Sequence, residues 1–235
     1  MTRKQIRSLP VSLAVVAVLT IAGAAFAQPT SPLLNSVEVQ RLVARGTPDD
    51  HAQLNAHFKA LADRSDAIAK RHTAMSRGFV GNPSRNLTSG LSAHCTRLAA
   101  LNTDQANALR DLATHHGTLA AGRPSVAPSA AARYDAGTGA NEPDDAALTR
   151  LTATASTSAD HKALESYFLA QAKRYTSDAA EHAGLARAYR GRPRGEASAI
   201  AMARHCDRLE ALALEAAKQA TAAATEHRTL GSPTR

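Results

Sequence analysis

Residues 50–79, DHAQLNAHFKALADRSDAIAKRHTAMSRGF, have the pattern of one long helix with a buried face. From His51 to Phe79, the positions that step by three and four residues are apolar or histidine, except for Ser65. This spacing is typical of an amphipathic helix that packs against other helices. The pattern returns at residues 160–189, DHKALESYFLAQAKRYTSDAAEHAGLARAY, at an offset of 110. The chain is therefore expected to build this helix twice.

The similarity between the two halves extends beyond this helix. The residues matched at an offset of 110 are Asp50/Asp160, His51/His161, Leu54/Leu164, Phe58/Phe168, Arg64/Arg174, His72/His182, Arg77/Arg187, Gly81/Gly191 and Pro83/Pro193. Those matched at an offset of 111 are His94/His205, Cys95/Cys206, Arg97/Arg208, Leu98/Leu209, Leu101/Leu212, Thr114/Thr225, His116/His227 and Leu119/Leu230. This duplication predicts two repeats, at 37–120 and 145–231, joined at 121–144 by a flexible linker rich in Pro, Gly, Ala and Ser.

Each repeat is predicted to be a helical hairpin. The segments GFVGNPSRN (78–86) and YRGRPRG (189–195) interrupt the first helix, and a second apolar pattern at heptad spacing follows each of them. Thr47 and Thr157 are expected to cap the first helices, since each is followed three residues later by an acid. One hairpin leaves its apolar stripe uncovered. We therefore expect an all-α fold in which two tandem hairpins pack as an antiparallel four-helix bundle.

Residues 1–27 have the features of a signal peptide. The basic residues Arg3, Lys4 and Arg7 precede an apolar run, and Ala25-Phe26-Ala27 forms a cleavage site. The run is shorter than the roughly 20 residues of a spanning helix, so we expect a soluble, periplasmic or secreted protein with no membrane span. The formal charge of +8 falls to +5 without those three basic residues. Because the other basic residues are spread among acids, the pattern argues against nucleic-acid binding.

The histidines matched between the repeats are the main candidates for a binding site. His51 and His72 are 21 residues apart, and so are Cys95 and His116. Three heptads keep the members of such a pair on one helix face, about 30 Å apart. Within a hairpin, His51 is then level with His116. If a twofold axis runs along the bundle, one layer holds His51, His116, His161 and His227, and another holds His72, Cys95, His182 and Cys206, with His94 and His205 beside it.

Imidazole and thiolate groups in such layers suit Zn(II) or copper, and both metals are met outside the cytoplasm. The candidate metal ligands are His51, His72, His94, Cys95, His116, His161, His182, His205, Cys206 and His227. The sequence therefore predicts a transition-metal binding or buffering module. The alternative is a structural or protein-interaction bundle, for example a chaperone-like one, whose histidines belong to the core and bind no metal.

The two cysteines leave three alternatives open. Export to an oxidising compartment favours a Cys95–Cys206 disulfide, provided that the second helices of the two repeats are neighbours. Alternatively, the thiols bind the metal, or they remain buried and free or pair between molecules.

Motifs of common enzyme classes are missing from the sequence. It contains no HExxH, GxSxG, P-loop, CxxCH or ExxH pattern. We therefore do not expect an enzyme, and the sequence identifies no partner protein.

Overall fold

The computed structural model describes residues 33–83, 90–121, 144–192 and 197–232. In these ranges the chain forms no strand and six helices, which are α1 (Ser36–Arg45), α2 (Pro48–Gly81), α3 (Leu91–Ala120), α4 (Asp145–Thr154), α5 (Ser158–Arg190) and α6 (Ala197–Gly231). The expected all-α class is confirmed. The predicted signal peptide at 1–27 and residues 122–143 of the predicted linker lie outside the described residues. None of the described helices is long and apolar enough to cross a membrane.

The predicted starts of α2 and α5 are confirmed. The Thr47 hydroxyl accepts a hydrogen bond from the Asp50 N–H, and the Asp50 carboxylate accepts one from the Thr47 N–H. Thr157 and Asp160 form the same capping box at the start of α5. These bonds satisfy N–H groups that have no partner within the helix. The two helices therefore begin at equivalent residues of the repeats.

Two antiparallel hairpins account for most of the helix packing: α2 lies along α3, and α5 lies along α6. In the first hairpin, the Asn55 amide donates to the Ala113 carbonyl at 2.5 Å. At its other end, the Ser76 and Ser92 hydroxyls lie 2.9 Å apart. Each hairpin thus has a turn end, where its long helices are joined, and an open end, where they begin and finish.

The two hairpins contact each other mainly through α3 and α6, which run in opposite directions. His94 Nδ1 near the start of α3 lies 3.1 Å from Gln219 Oε1 on α6. The Gly90 N–H donates to the Glu226 carboxylate at 2.6 Å, near the end of α6. The start of α3 therefore lies beside the end of α6.

Of the alternatives for the cysteines, the Cys95–Cys206 disulfide is wrong. Both cysteines are reduced, and both are fully buried. Gln219 lies beside His94, and Cys206 is 13 residues away from Gln219 along α6, which is roughly 20 Å. A disulfide requires Cα atoms about 4.4–6.8 Å apart. The second helices are neighbours, as the disulfide needed, but their direction separates the two thiols.

The short helices connect the two repeats. α4 packs on α2 of the first hairpin, and α1 packs on both α5 and α2. After α2, the Asn82 amide donates to the carbonyls of Thr152 and Ala155 at the end of α4, at 3.2 and 2.9 Å. At the equivalent place after α5, the Arg192 guanidinium donates to the Val43 carbonyl of α1 at 3.1 Å.

The apolar core consists of two clusters, one toward each end of the long helices. One cluster joins the open end of the first hairpin to the turn end of the second, with Phe58 and Tyr189 among its members. The other joins the turn end of the first hairpin to the open end of the second, with Phe79 and Phe168 among its members. The hairpins therefore pack head to tail.

Candidate functional site

Two pairs of histidine rings lie at the open ends of the hairpins. The Nδ1 atom of His51 in α2 is 2.9 Å from that of His116 in α3. In the second repeat, the Nδ1 atoms of His161 and His227 are 3.1 Å apart. Both separations are hydrogen-bond distances. The expectation that His51 is level with His116 is confirmed, and the contact recurs in the other repeat.

The His51–His116 pair is buried and makes a hydrogen bond to the other repeat. His51 is 6% exposed and His116 is not exposed at all. Phe58 stacks on the His116 ring with centroids 5.5 Å apart. From the end of α5, the Tyr189 hydroxyl oxygen approaches His116 Nε2 to 2.8 Å. Both nitrogens of the His116 ring therefore have hydrogen-bond partners.

The His161–His227 pair has equivalent surroundings, except that the hydroxyl group next to the inner ring is missing. His227 is fully buried, and Phe168 stacks on it at 5.6 Å between centroids. Phe79 comes from the end of α2, with its centroid 5.5 Å from that of His227. Phe79 has no hydroxyl, and His227 Nε2 has no hydrogen-bond partner among the described residues.

The predicted layer of four histidines is wrong. Tyr189 covers His116, so the first pair lies at the turn end of the second hairpin, whereas His161 lies at its open end. Between His161 and Tyr189, α5 runs for 28 residues, which is about 40 Å. The prediction assumed a twofold axis along the helices, but head-to-tail packing places the axis across them. The structure holds two separate pairs.

Burial keeps the inner histidine of each pair neutral. The pKa of His116 is lowered to about 3, first by burial and then by the neighbouring His51. Burial, followed by His161, lowers the pKa of His227 to about 3 in the same way. A protonated ring would be poorly solvated at either position. Both inner rings are therefore uncharged at neutral pH.

The second predicted layer is also wrong. His72 is fully buried beside Phe168, with ring centroids 6.3 Å apart, and neither of its ring nitrogens has a hydrogen-bond partner among the described residues. Its repeat equivalent, His182, lies beside His57 in the wall of a cavity between α2 and α5. Because the hairpins pack head to tail, His72 and His182 belong to opposite halves of the structure.

The remaining candidate ligands do not join either pair. His94 is partly buried, bonded to Gln219 and 3.6 Å from the Glu226 carboxylate. Cys95 lies in the second core cluster, and Cys206 in the first. Burial raises the pKa of both thiols, that of Cys206 to about 12, which disfavours the thiolate that binds metals. His205 is partly buried on α6.

Within the part of the chain that the structure describes, no group of three or more His, Cys, Asp or Glu side chains is arranged to hold a metal ion. The pairs therefore offer two protein ligands each. A closed structural zinc site has four.

Searches with protein-family models, against curated proteins and against solved structures find no match to this chain. The functional argument therefore depends on the chemistry of the sites themselves.

The sequence analysis missed the partners that come from the other repeat. Phe79 and Tyr189 occupy equivalent positions at the ends of α2 and α5, but their contacts with His227 and His116 depend on head-to-tail packing. It also missed His57 and the other polar residues of the cavity. One signal was available, because Arg64 and Arg174, which both line the cavity, are matched between the repeats.

Exchanging the two covering rings tests the difference between the pairs. Tyr189→Phe leaves His116 Nε2 buried without a partner, and we expect a loss of about 1–3 kcal/mol in the free energy of unfolding. Phe79→Tyr supplies a partner for His227 Nε2, and we expect a gain of about 1 kcal/mol. Urea denaturation with an unchanged m-value measures both. A neutral Tyr189→Phe, or a destabilising Phe79→Tyr, would contradict the hydrogen-bond assignment.

Acid should unfold the protein because buried histidines take up protons only when it unfolds. The pKa of His72 is lowered to about 3 by burial and then by Arg71 and Arg174, whereas an unfolded histidine titrates near 6.5. The free energy of unfolding is therefore at its full value above pH 6.5 and decreases as the pH falls toward 3. Each histidine that is buried in its neutral form contributes a decrease of up to about 1.4 kcal/mol per pH unit.

His72→Leu isolates one contribution to this acid sensitivity. The variant should be about 1–3 kcal/mol more stable at pH 7, because it removes two unsatisfied ring nitrogens, and its stability should fall less steeply below pH 6. His94→Leu, which removes a ring bonded to Gln219, is the control and should not gain stability. Chemical denaturation at a series of pH values measures both slopes. An unchanged slope in His72→Leu would show that this ring is not buried neutral.

Proposed function

We propose that this protein is an exported module that binds a transition-metal ion, zinc or copper, at its histidine pairs. The observation that carries the proposal is the 2.9 Å approach of His51 Nδ1 to His116 Nδ1, which recurs at 3.1 Å in the second repeat. Two ring nitrogens that face each other can share a proton or bind one ion. The basic start, apolar run and cleavage site within residues 1–27 support export.

The proposed scaffold for these sites is an antiparallel four-helix bundle of α2, α3, α5 and α6. The packing of α2 on α3, α3 on α6 and α6 on α5 supports it. The remaining pair of neighbouring helices, α2 and α5, is in contact through aromatic rings, among them those of His72 and Phe168. In helical bundles, metal and cofactor sites are built from side chains on facing helices.

The separation of the two ring nitrogens is close to that of two histidine ligands on one zinc ion. Zinc binds imidazole nitrogens at about 2.0–2.1 Å, and its tetrahedral angle places two of them about 3.3 Å apart. The Nδ1 atoms of His51 and His116 are about 0.4 Å closer than this. Because the pKa of His116 is lowered, protons compete little with a metal ion for this ring at neutral pH.

Tyr189 favours the first pair over the second. A metal-bound histidine normally donates its other ring N–H to an oxygen atom, which fixes the tautomer and the orientation of the ring. His116 Nε2 lies 2.8 Å from the Tyr189 hydroxyl oxygen and can donate to it, which leaves Nδ1 unprotonated for the metal. His227 has Phe79 at the equivalent place. Affinity should therefore be higher at His51–His116.

Two histidines leave open positions on the ion. Water or an external ligand would fill them, and the partly exposed His161 gives solvent access to the second pair. An ion bound in this way can be released or passed on, which suits a buffering or carrier role better than a purely structural one. The thiols take no part, because burial raises the pKa of Cys95 and of Cys206 and so disfavours the thiolate that binds metals.

The alternative function is that of a structural or interaction bundle without metal. Stacking of Phe58 on His116 and of Phe168 on His227 favours it, because aromatic packing of this kind stabilises a core by itself. On this alternative, each pair is a hydrogen bond between two packed imidazole rings.

Calorimetric titration of the metal-free protein with Zn(II) and Cu(II) separates the two functions. We expect saturable binding tighter than about 1 μM, or about −8 kcal/mol, at up to two sites, with the tighter one at His51–His116. His51→Leu should abolish the tighter site and His161→Leu the weaker one, and the double variant should bind at neither. Bound metal should also raise the melting temperature.

The control is His205→Leu, which removes a histidine outside both pairs and should leave the titration unchanged. Circular dichroism confirms that each variant is folded. The proposal is wrong if neither metal binds saturably, or if binding survives in the double variant. The pairs would then be core hydrogen bonds.

A further inference from the structure

A cavity of about 460 Å³ lies between α2 and α5, at the middle of both helices. Its volume is within the range of about 300–1,000 Å³ that is typical of small-molecule sites. Neither histidine pair lines it, so the cavity is distinct from the proposed metal sites. It lies between the two apolar core clusters, and polar side chains form part of its wall.

The cavity has an apolar side. Leu61 and Ile68 of α2, Leu109 of α3 and Leu209 of α6 line it. Nearby, the Asn102 amide donates to the Tyr175 hydroxyl at 2.8 Å, and both residues are buried. This bond between α3 and α5 fixes part of the wall. A ligand with an apolar body would find preformed contacts here.

The polar side of the cavity carries an excess of positive charge. Arg64, Lys173 and Arg174 line it, and the acids in its wall are Asp178 and Glu181. Burial raises the pKa of Asp178, against the lowering effect of Arg64 and Arg174. Burial, followed by the neighbouring Asp178, also raises the pKa of Glu181. Three cations therefore face two acids, and both acids are disfavoured as anions.

Duplication explains why two arginines meet here. Arg64 and Arg174 are repeat equivalents, and each lies at the middle of its helix. Head-to-tail packing places the axis that relates the repeats across the helices, so residues at the midpoints are brought together, whereas residues at the ends are separated. Guanidinium groups bind carboxylates and similar anions by paired N–H donors.

His57 adds a fixed donor to the wall. Its Nδ1 atom accepts the Leu34 N–H at 3.1 Å, which places the ring proton on Nε2. Its pKa is lowered to about 4 by burial and then by His182, so the ring is neutral at pH 7. The cavity thus combines cations, a neutral donor and apolar surface.

We infer that this cavity binds a small organic anion, whose acidic group pairs with Arg64 and Arg174 and whose apolar part packs against Leu61, Ile68, Leu109 and Leu209. The excess of positive charge in the wall matches a ligand that carries a negative charge. The inference does not rest on the proposed metal binding.

A pair of fluorescent probes tests both parts of this inference. 1-Anilinonaphthalene-8-sulfonate carries one sulfonate, and N-phenyl-1-naphthylamine has the same aromatic body without it. We expect the anionic probe to bind the folded protein at one site and more tightly than the neutral probe. Arg64→Gln with Arg174→Gln should weaken the anionic probe at least tenfold and change the neutral probe less than twofold.

The matched control is Arg77→Gln with Arg187→Gln, which removes the same charges from exposed, repeat-equivalent positions of α2 and α5 and should leave both probes unaffected. Ile68→Phe narrows the cavity without changing its charge and should weaken both probes. Cooperative unfolding of each variant establishes that the probes report on a folded protein.

Two results would overturn the inference. One is the absence of saturable binding of the anionic probe to the native chain. The other is a loss in Arg64→Gln with Arg174→Gln that is equal for both probes or no larger than in the control variant.

Discussion

Head-to-tail contact between the two hairpins determines the rest of the structure. The Tyr189 hydroxyl at the end of α5 reaches His116 at the open end of the first hairpin, and the Phe79 ring at the end of α2 reaches His227 at the open end of the second. Each hairpin therefore closes the end that the other leaves open. The same packing separates Cys95 from Cys206, separates the histidine pairs and brings Arg64 and Arg174 to one cavity.

The buried histidines are polar residues at core positions where an ordinary helical bundle would have leucine. Because burial lowers their pKa, His72, His116 and His227 are neutral in the folded protein and add to its sensitivity to acid. His116 recovers part of the cost of burial through its two hydrogen bonds, whereas His72 has none among the described residues. Residues that reduce stability in this way are frequent at functional sites.

Local features of the fold could be predicted from the sequence, and relations between the repeats could not. Helix periodicity and the Thr47–Asp50 and Thr157–Asp160 pairs gave the starts of α2 and α5, because caps and amphipathic faces depend on neighbouring residues. The heptad interval gave the His51–His116 contact, because an antiparallel hairpin fixes its own register. The direction in which one hairpin lies on the other depends on side-chain packing between residues that are distant in sequence. The assumption of a twofold axis along the bundle was wrong, and it led to the incorrect predictions of four-residue layers and of a disulfide.

Head-to-tail packing is tested most directly by a distance between equivalent points of the two repeats. Thr118 and Thr229 are exposed and lie just beyond His116 and His227. Nitroxide labels at Thr118→Cys and Thr229→Cys, with Cys95 and Cys206 replaced by alanine, can be measured by double electron–electron resonance. The contacts of His94 with Gln219 and of Gly90 with Glu226 predict a separation of about 45–50 Å at 1.5 Å per residue. A separation below about 25 Å, which neighbouring helices with axes 8–10 Å apart would give at one level, would contradict the account.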